Sequence, residues 1–202
     1  IVVVAEHVGG ELSDIALEML ACARQLAYSI GWHVTCLILA EDPKPFQALP
    51  LTADRVVVIK DPALGSPNPA AYAHVLPHVL KDLSARLVIL GNTSVGIDVA
   101  GSLSHALGAP AFSGCASLRG EGDRIILASR LCGGKLLAQV HAPDGPAIAL
   151  LMPGSYHREL GMRDEVPPME VRSSPVPLTA LPVRFLELVE PKVEDIDVRK
   201  IP

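Results

Sequence analysis

A short run of glycine, amide and hydroxyl residues is the part of the chain best suited to bind a ligand. Gly91, Asn92, Thr93 and Ser94 follow an apolar run at residues 87–90 and precede a segment with helical spacing that closes at Gly108. A strand, a small-residue turn and a helix in this order place free backbone N–H groups at the carboxyl end of a parallel sheet. Ligands of α/β proteins usually bind there, so this turn is the candidate cofactor-binding site.

The turn lacks the motifs of well-known phosphate sites. It has no Gly-Lys-Ser/Thr as in a P-loop, and no GxGxxG follows the first strand. Asp98 adds negative charge near the start of the following helix, where an anion would have to bind. From the residues alone, a simple helix cap is favoured over a phosphate or nucleotide site.

The other reactive side chains do not combine into a catalytic or metal-binding pattern. His74 and His78 have a spacing that suits zinc, but Pro77 lies between them and no third ligand stands out. Ser113-Gly114-Cys115 lacks the GxSxG elbow of a nucleophile. No CxxC pair occurs among the four cysteines, which are Cys22, Cys36, Cys115 and Cys132. We therefore expect no catalytic residues, no metal site and no enzyme activity from this chain itself.

Alternating strand and helix patterns predict the elements that position the turn. Apolar runs at 1–5, 33–39, 55–60 and 87–90 alternate with helical spacing at 15–30, at 70–83 and in the stretch that ends at Gly108. This rhythm predicts an α/β fold with a twisted, mostly parallel sheet and flanking helices. Pro77 is expected to kink or split the second helix.

The second half of the chain follows a different pattern. Four strand-like segments, at 113–118, 124–129, 135–141 and 147–151, follow each other with turn sequences and no helix between them. We expect them to add antiparallel strands to one edge of the sheet. Residues 1–155 then form one α/β domain, and residues 156–202 form a proline-rich connector with one edge strand at about 183–189.

Composition excludes several classes of function. The 202 residues carry a net charge of −5, with no cluster of lysine and arginine, which argues against nucleic acid as a partner. No apolar run approaches the ~20 residues needed to cross a bilayer, so we expect no membrane insertion. Scattered, unpaired cysteines are typical of a reducing compartment, and we expect the protein to be cytoplasmic.

Several segments, in order and spacing, resemble a known family. The chain resembles the N-terminal domain of the electron transfer flavoprotein alpha subunit over about residues 1–155. Gly91 to Ala100 is similar to the family's Gly-x-Thr-x-x-Gly-x-Asp-x-Ala segment. The other matching segments are Val2-Val3-Val4-Ala5-Glu6-His7, Leu12-Ser13, Asp61-Pro62-Ala63-Leu64, Pro69-Ala70-Ala71-Tyr72-Ala73 and Leu107-Gly108-Ala109-Pro110.

The resemblance implies an adenine nucleotide alpha-hydrolase-like fold and a role in electron transfer. It implies pairing with an electron transfer flavoprotein beta-like subunit and, through that complex, contact with dehydrogenases. FAD is implied for the complete complex but not for this chain alone, because the family's flavin-binding C-terminal domain is not in this sequence. Gly91, Asn92, Thr93 and Ser94 then form a vestigial or partner-facing nucleotide crevice. A stand-alone adenine-nucleotide-binding module, with AMP as its ligand, is the alternative.

Two departures from the family pattern mark this chain as divergent. Gly133-Gly134-Lys135 stands where the family usually has Gly-Asn-Ala, and Met152-Pro153 stands where it usually has Arg-Pro. No flavin contact of the family can be carried over to these positions.

Overall fold

The order of strands and helices follows the alternation predicted from the sequence. A computed structural model describes residues 1–122, 124–179, 181, 183, 185–187 and 189. Its elements in chain order are β1 (Val2–Ala5), β2 (His7–Val8), β3 (Glu11–Leu12), α1 (Asp14–Ile30), β4 (Thr35–Ala40), β5 (Arg55–Lys60), α2 (Pro69–Asp82), β6 (Leu87–Gly91), α3 (Ser94–Leu107), β7 (Ala111–Glu121), β8 (Arg124–Leu131), β9 (Leu136–His141), β10 (Ala147–Leu151) and β11 (Met169–Ser173).

Nine of the strands form one mixed sheet. Its order is β11-β5-β4-β1-β6-β10-β7-β8-β9, while β2 and β3 make a separate small hairpin. All neighbours from β11 to β7 pair in parallel, whereas β8 pairs antiparallel with both β7 and β9. The predicted α/β class, with a mostly parallel sheet and antiparallel strands at one edge, is confirmed.

The position of β10 differs from the prediction that placed it among the antiparallel edge strands. β10 pairs in parallel with β6 on one side and with β7 on the other, near the middle of the sheet. All five residues of Ala147–Leu151 are buried, as is usual for a strand covered on both faces. The β8–β9 hairpin, and not a crossover helix, connects β7 to β10. The absence of a helix before β10 therefore led to the wrong prediction that this strand is antiparallel.

The sheet separates two aliphatic cores. On one face, Val3 and Ala5 of β1 pack with Met19 and Leu26 of α1. On the other face, Val2 and Val4 pack with residues of α2 and α3 such as Tyr72, Val75 and Leu103. Because successive strand side chains point to opposite faces, the unbroken apolar runs of the central strands supply both cores.

The helix ends follow the sequence signals closely, with one exception inside α2. Gly31 and Gly108 adopt left-handed conformations, with φ of 69° and 60°, directly after α1 and α3. Pro77 does not split α2, which runs without interruption from Pro69 to Asp82. No helix among the described residues has the length and hydrophobicity that crossing a membrane requires.

The segment after residue 155 contributes one more strand to the sheet. β11 pairs in parallel with β5 over its whole length. The sequence does not predict this strand, because flanking prolines at 167, 168 and 175 obscure a short segment that only has to pair on one side. The edge strand expected at 183–189 includes Arg184 and Leu188, which lie outside the described residues, so that strand and the domain boundary at 155 stay predictions.

Candidate functional site

The sheet order reverses between β1 and β6. β4 and β5 extend the sheet on one side of β1, and β6 continues it on the other side. Such a reversal leaves a crevice at the carboxyl ends of the strands, which is the usual ligand position in doubly wound sheets. Glu6 follows β1 at this point, and the turn formed by Gly91, Asn92, Thr93 and Ser94 ends β6 and begins α3.

Two glycines allow α3 to start directly against the strand end. A β-carbon on Gly96 would collide with the carbonyl oxygen of Gly91. A β-carbon on Gly91 would lie 2.7 Å from Oε1 of Glu6 and 3.2 Å from Cγ1 of Ile15. The strand end, the first turn of α3 and the start of α1 are therefore packed together with no room for larger residues at the two glycines.

The Thr93 hydroxyl links α3 to the end of β1. Its Oγ1 accepts a hydrogen bond of 3.1 Å from the N–H of Gly96, which caps the helix. The same hydroxyl donates to Oε1 of Glu6 at 2.7 Å. Burial raises the pKa of Glu6 above its ordinary value, and the hydrogen bond from Thr93 opposes that shift only in part.

Asn92 ties the turn to the neighbouring strands on the other side. Its backbone N–H donates to the carbonyl of Leu151 in β10 at 2.7 Å. Its side-chain Oδ1 accepts from the N–H of Gly114 at 3.1 Å, where β7 departs from regular pairing. Asn92 thus links the end of β6 to the end of β10 and to Gly114 within β7, and the sequence did not indicate these contacts.

A small cavity lies beside the first turn of α3. The cavity lined by Glu6, Tyr72, Val95 and Gly96 has a volume of about 10 Å³. That is close to the minimum that holds one water molecule. Burial, together with the nearby Glu6 carboxyl, raises the pKa of the Tyr72 phenol. Oδ1 of Asn92 and the hydroxyl of Thr93 form hydrogen bonds within the chain, while the binding of a nucleotide by Gly91–Ser94 stays a prediction.

A buried glutamate, which the sequence reading missed, organises the loop after β10. Glu18 lies on the core side of α1, and its Oε2 accepts hydrogen bonds from the N–H groups of Gly154 and Ser155 at 2.8 and 3.1 Å. The N–H of Tyr156 lies at 3.5 Å from the same oxygen. The sequence does contain a signal for this contact, because Glu18 is an acidic residue at a position where the helical spacing predicts an apolar one.

The remaining sequence candidates lie apart from the crevice. His74 and His78 are exposed on the surface of α2. The Cys115 thiol is buried, and burial raises its pKa, which disfavours the reactive thiolate. Within the described part of the chain, no group of three or more His, Cys, Asp or Glu side chains is arranged to hold a metal ion.

Comparison with known proteins places the chain in one family. Residues 1–182 match the family model for the electron transfer flavoprotein domain. The chain is 26% identical over 208 residues to an electron transfer flavoprotein subunit alpha from Megasphaera elsdenii, which covers 98% of this chain and 62% of that protein. It is 27% identical over 204 residues to a protein FixB from Clostridium saccharobutylicum, with 97% and 60% covered.

A third relative, an electron transfer flavoprotein subunit alpha from Bacillus subtilis, is 22% identical over 200 residues, with 98% of this chain and 60% of the relative covered. The chain thus spans about three fifths of the length of these relatives. The family match extends over nearly the whole described structure and agrees with the resemblance carried by the Gly91–Ala100 segment. The chain belongs to the electron transfer flavoprotein domain family.

Proposed function

We propose that this chain is the structural and partner-binding domain of an FAD-dependent electron carrier that works between dehydrogenases and an acceptor. Membership of the electron transfer flavoprotein family supports the electron-transfer role. Relatives named as alpha subunits support a beta-like subunit as the direct partner. The observation that carries the partner-binding part is an exposed apolar edge at one end of the sheet.

That edge is β9, the last strand in the sheet order. Its outer side has no strand partner among the described residues, so a row of backbone N–H and C=O groups is left for pairing. Leu136, Leu137 and Val140 of β9 are 58%, 61% and 38% exposed. An apolar strand edge of this kind is typical of a surface that another protein covers.

The exposed apolar residues of β9 lie on both faces of the strand. Leu136 and Val140 pair opposite Leu131 and Leu127 and therefore point to the same sheet face as those residues. Leu137 points to the opposite face. A partner has to contact both faces and the edge of this strand, which a docking strand or loop from a second subunit does.

Three cavities at the carboxyl ends of the strands support a location of FAD outside this chain. The small cavity lined by Glu6, Tyr72 and Gly96, close to the turn, has a volume of about 10 Å³. Two larger cavities along the same side of the sheet, of about 520 and 260 Å³, have Glu41 in their walls and no lysine or arginine among the described lining residues. The pyrophosphate of FAD would meet the negative charge of Glu41 there.

We therefore propose that the Gly91–Ser94 turn is a vestigial nucleotide crevice and that flavin is held elsewhere in the complete complex. A flavin-binding experiment tests this proposal. The purified chain is incubated with excess FAD, free flavin is removed, and the bound flavin is measured from the visible absorption spectrum. We expect flavin well below one equivalent per chain. One equivalent of tightly bound flavin would overturn the proposal.

The partner role has a separate experiment. Mixing the chain with the beta-like subunit from the same organism should give one heterodimer in size-exclusion chromatography with light scattering. Two unassociated peaks at micromolar concentrations of both proteins would contradict the partner-binding function. Calorimetric titration with AMP tests the stand-alone nucleotide-binding alternative, for which tight binding at the Gly91–Ser94 turn is required.

A further inference from the structure

The register of the β8–β9 hairpin identifies which backbone groups of β9 point out of the sheet. β9 is the last strand in the sheet order, and it pairs antiparallel with β8 without a break in register. In an antiparallel pair, every second residue directs its N–H and C=O toward the neighbouring strand, and the residues between direct theirs away. A single hydrogen bond between the strands therefore fixes the pattern for all of β9.

That bond joins Ala142, directly after β9, to Ile125 of β8. The N–H of Ala142 donates to the Ile125 carbonyl at 2.8 Å. The two residues are opposite each other, because the neighbouring pair in the register is Ile126 with His141. By the alternation, the backbone groups of Val140 and of every second residue before it also point toward β8.

Three residues of β9 are left with backbone groups that point away from β8. They are Leu137, Gln139 and His141, and their side chains are exposed on one face of the strand. The next outward positions are closed. The N–H of Lys135 donates within the hairpin turn at 3.4 Å, and Pro143 has no N–H to donate. The open edge of β9 therefore suits one short strand.

The face that carries these three side chains is basic, although the whole chain has a net charge of −5. Arg119 of β7 and Arg130 of β8 lie on this face, because their cross-strand partners are Ile126 and Leu137. Both arginines are exposed, and no ion pair among the described residues involves them. Glu121 adds one acid at the far end of β7. Exposed arginines beside a leucine are typical of a surface that a protein partner covers.

We propose that the beta-like subunit adds a short strand to β9, with backbone hydrogen bonds to Leu137, Gln139 and His141 and with acidic side chains on the face of Arg130. This pairing rests on the partner role proposed above and specifies its geometry. The added strand lies about 10 Å from β8, which is two strand spacings. An arginine and a glutamate side chain together span this distance. The backbone bonds supply affinity, and the arginines select an acidic strand.

Hydrogen exchange of single amides in the wild-type chain tests the pairing. We expect the N–H of Gln139 to exchange at least about tenfold more slowly in the heterodimer than in the chain alone. The N–H groups of Leu137 and His141 should slow in the same way. Those of Ala138 and Val140 are internal controls, because their bonds to β8 protect them in both states.

Three results would overturn the pairing. A heterodimer in which the three outward amides exchange as they do in the chain alone would refute strand addition and leave the partner role intact. Protection of the same amides in the chain alone at millimolar concentration would identify a second copy of this chain as the occupant. Failure to form any heterodimer would contradict the proposed function itself, and the pairing with it.

Two variants at one position separate backbone pairing from side-chain contact. Gln139→Pro removes an outward N–H that β8 does not use, and proline is tolerated on edge strands. We expect it to weaken binding of the beta-like subunit at least about tenfold, because a carbonyl of the added strand loses its donor. Gln139→Ala removes only the side chain and is the matched control, which should bind as the wild type does. Equal affinities of the two variants would refute pairing at this edge.

Charge reversal tests the acidic character of the added strand. Arg130→Glu should weaken binding of the beta-like subunit at least about tenfold, because like charges then face each other. Lys81→Glu, at an exposed position of α2, is the control with the same change in charge. Equal affinities of these two variants for the beta-like subunit would contradict an acidic partner strand.

Discussion

At the residue scale, one hydrogen bond closes the crevice between β1 and β6. The Thr93 hydroxyl donates to Glu6 across 2.7 Å, and it caps α3 at the same time. Glu6 is partly buried and has a raised pKa, so the folded chain holds its proton more tightly than the unfolded chain does. Ionisation of Glu6 therefore costs more free energy in the folded chain than in the unfolded chain.

The variant Glu6→Gln tests this linkage. Protonated Glu6 contributes stability that is fully present below the ordinary pKa of 4.5 and is lost as pH rises through the raised folded pKa. Glutamine keeps an oxygen that accepts from Thr93 but has no proton to lose. We expect the free energy of unfolding of the wild type to fall, relative to the variant, as pH rises from 4.5 toward neutrality. Parallel urea-unfolding profiles for the two proteins would contradict this.

Close packing at Gly96 gives a second prediction. Gly96→Ala should destabilise the chain by about 1–3 kcal/mol, because the new β-carbon meets the Gly91 carbonyl oxygen. Gly101→Ala in the same helix is the control, since no atom lies within 4 Å of its β-carbon position, and it should be neutral or stabilising by up to about 1 kcal/mol. Similar unfolding midpoints for both variants in urea would show that the close approach is absent.

Sequence reading located Gly91–Ser94 correctly within the fold but not its contacts. A strand–turn–helix pattern is local, so the place of this turn follows from the order of residues. The Thr93–Glu6 bond joins residues 87 positions apart, and the Asn92–Gly114 bond depends on an irregularity in β7. Such contacts follow from how strands pack side by side, which local patterns do not specify.

At the element scale, α2 contains an internal proline, a residue that normally breaks or kinks a helix. Pro77 lies inside the continuous helix Pro69–Asp82, where it has no N–H to donate to the preceding turn. The helix persists because Val75, Leu76 and Val79 bury its core face. Tertiary packing here overrides the local preference.

The stability that α2 loses at this position can be recovered. Pro77→Ala should raise the free energy of unfolding by about 1–3 kcal/mol, since it restores a helical hydrogen bond. Pro69→Ala, at the first residue of the same helix, should give no gain, because proline suits that position. A loss of stability in Pro77→Ala, measured by thermal unfolding, would show that the ring is needed for packing.

The strand order is also predicted only in part by local sequence patterns. The parallel strands β1, β4, β5 and β6 follow from apolar runs that alternate with helices. The place of β10 between β6 and β7 cannot be predicted in this way. A buried strand and an edge strand of five residues have similar lengths, so length does not tell them apart. Only its lack of polar residues, in Ala147–Leu151, pointed to the interior.

At the scale of the whole molecule, the two ends of the sheet differ in character. The β11 end carries Arg172, which pairs with Glu170 and Asp82 at 2.7 Å each. Charged groups of this kind discourage pairing with another strand. The β9 end instead exposes Leu136 and Leu137. The chain therefore has one edge suited to a partner and one edge protected from it.

A pair of edge variants tests the partner-binding role most directly. Leu137→Lys on β9 and Val171→Lys on β11 both add a charge at an exposed position, of 61% and 44%. Affinity for the beta-like subunit is then measured by calorimetry with each purified variant and with the wild type. We expect Leu137→Lys to weaken binding at least about tenfold, because a lysine would be desolvated in the interface, and Val171→Lys to bind as the wild type does. Unchanged affinity of Leu137→Lys, or an equal loss in Val171→Lys, would contradict the assignment of the β9 edge as the docking surface.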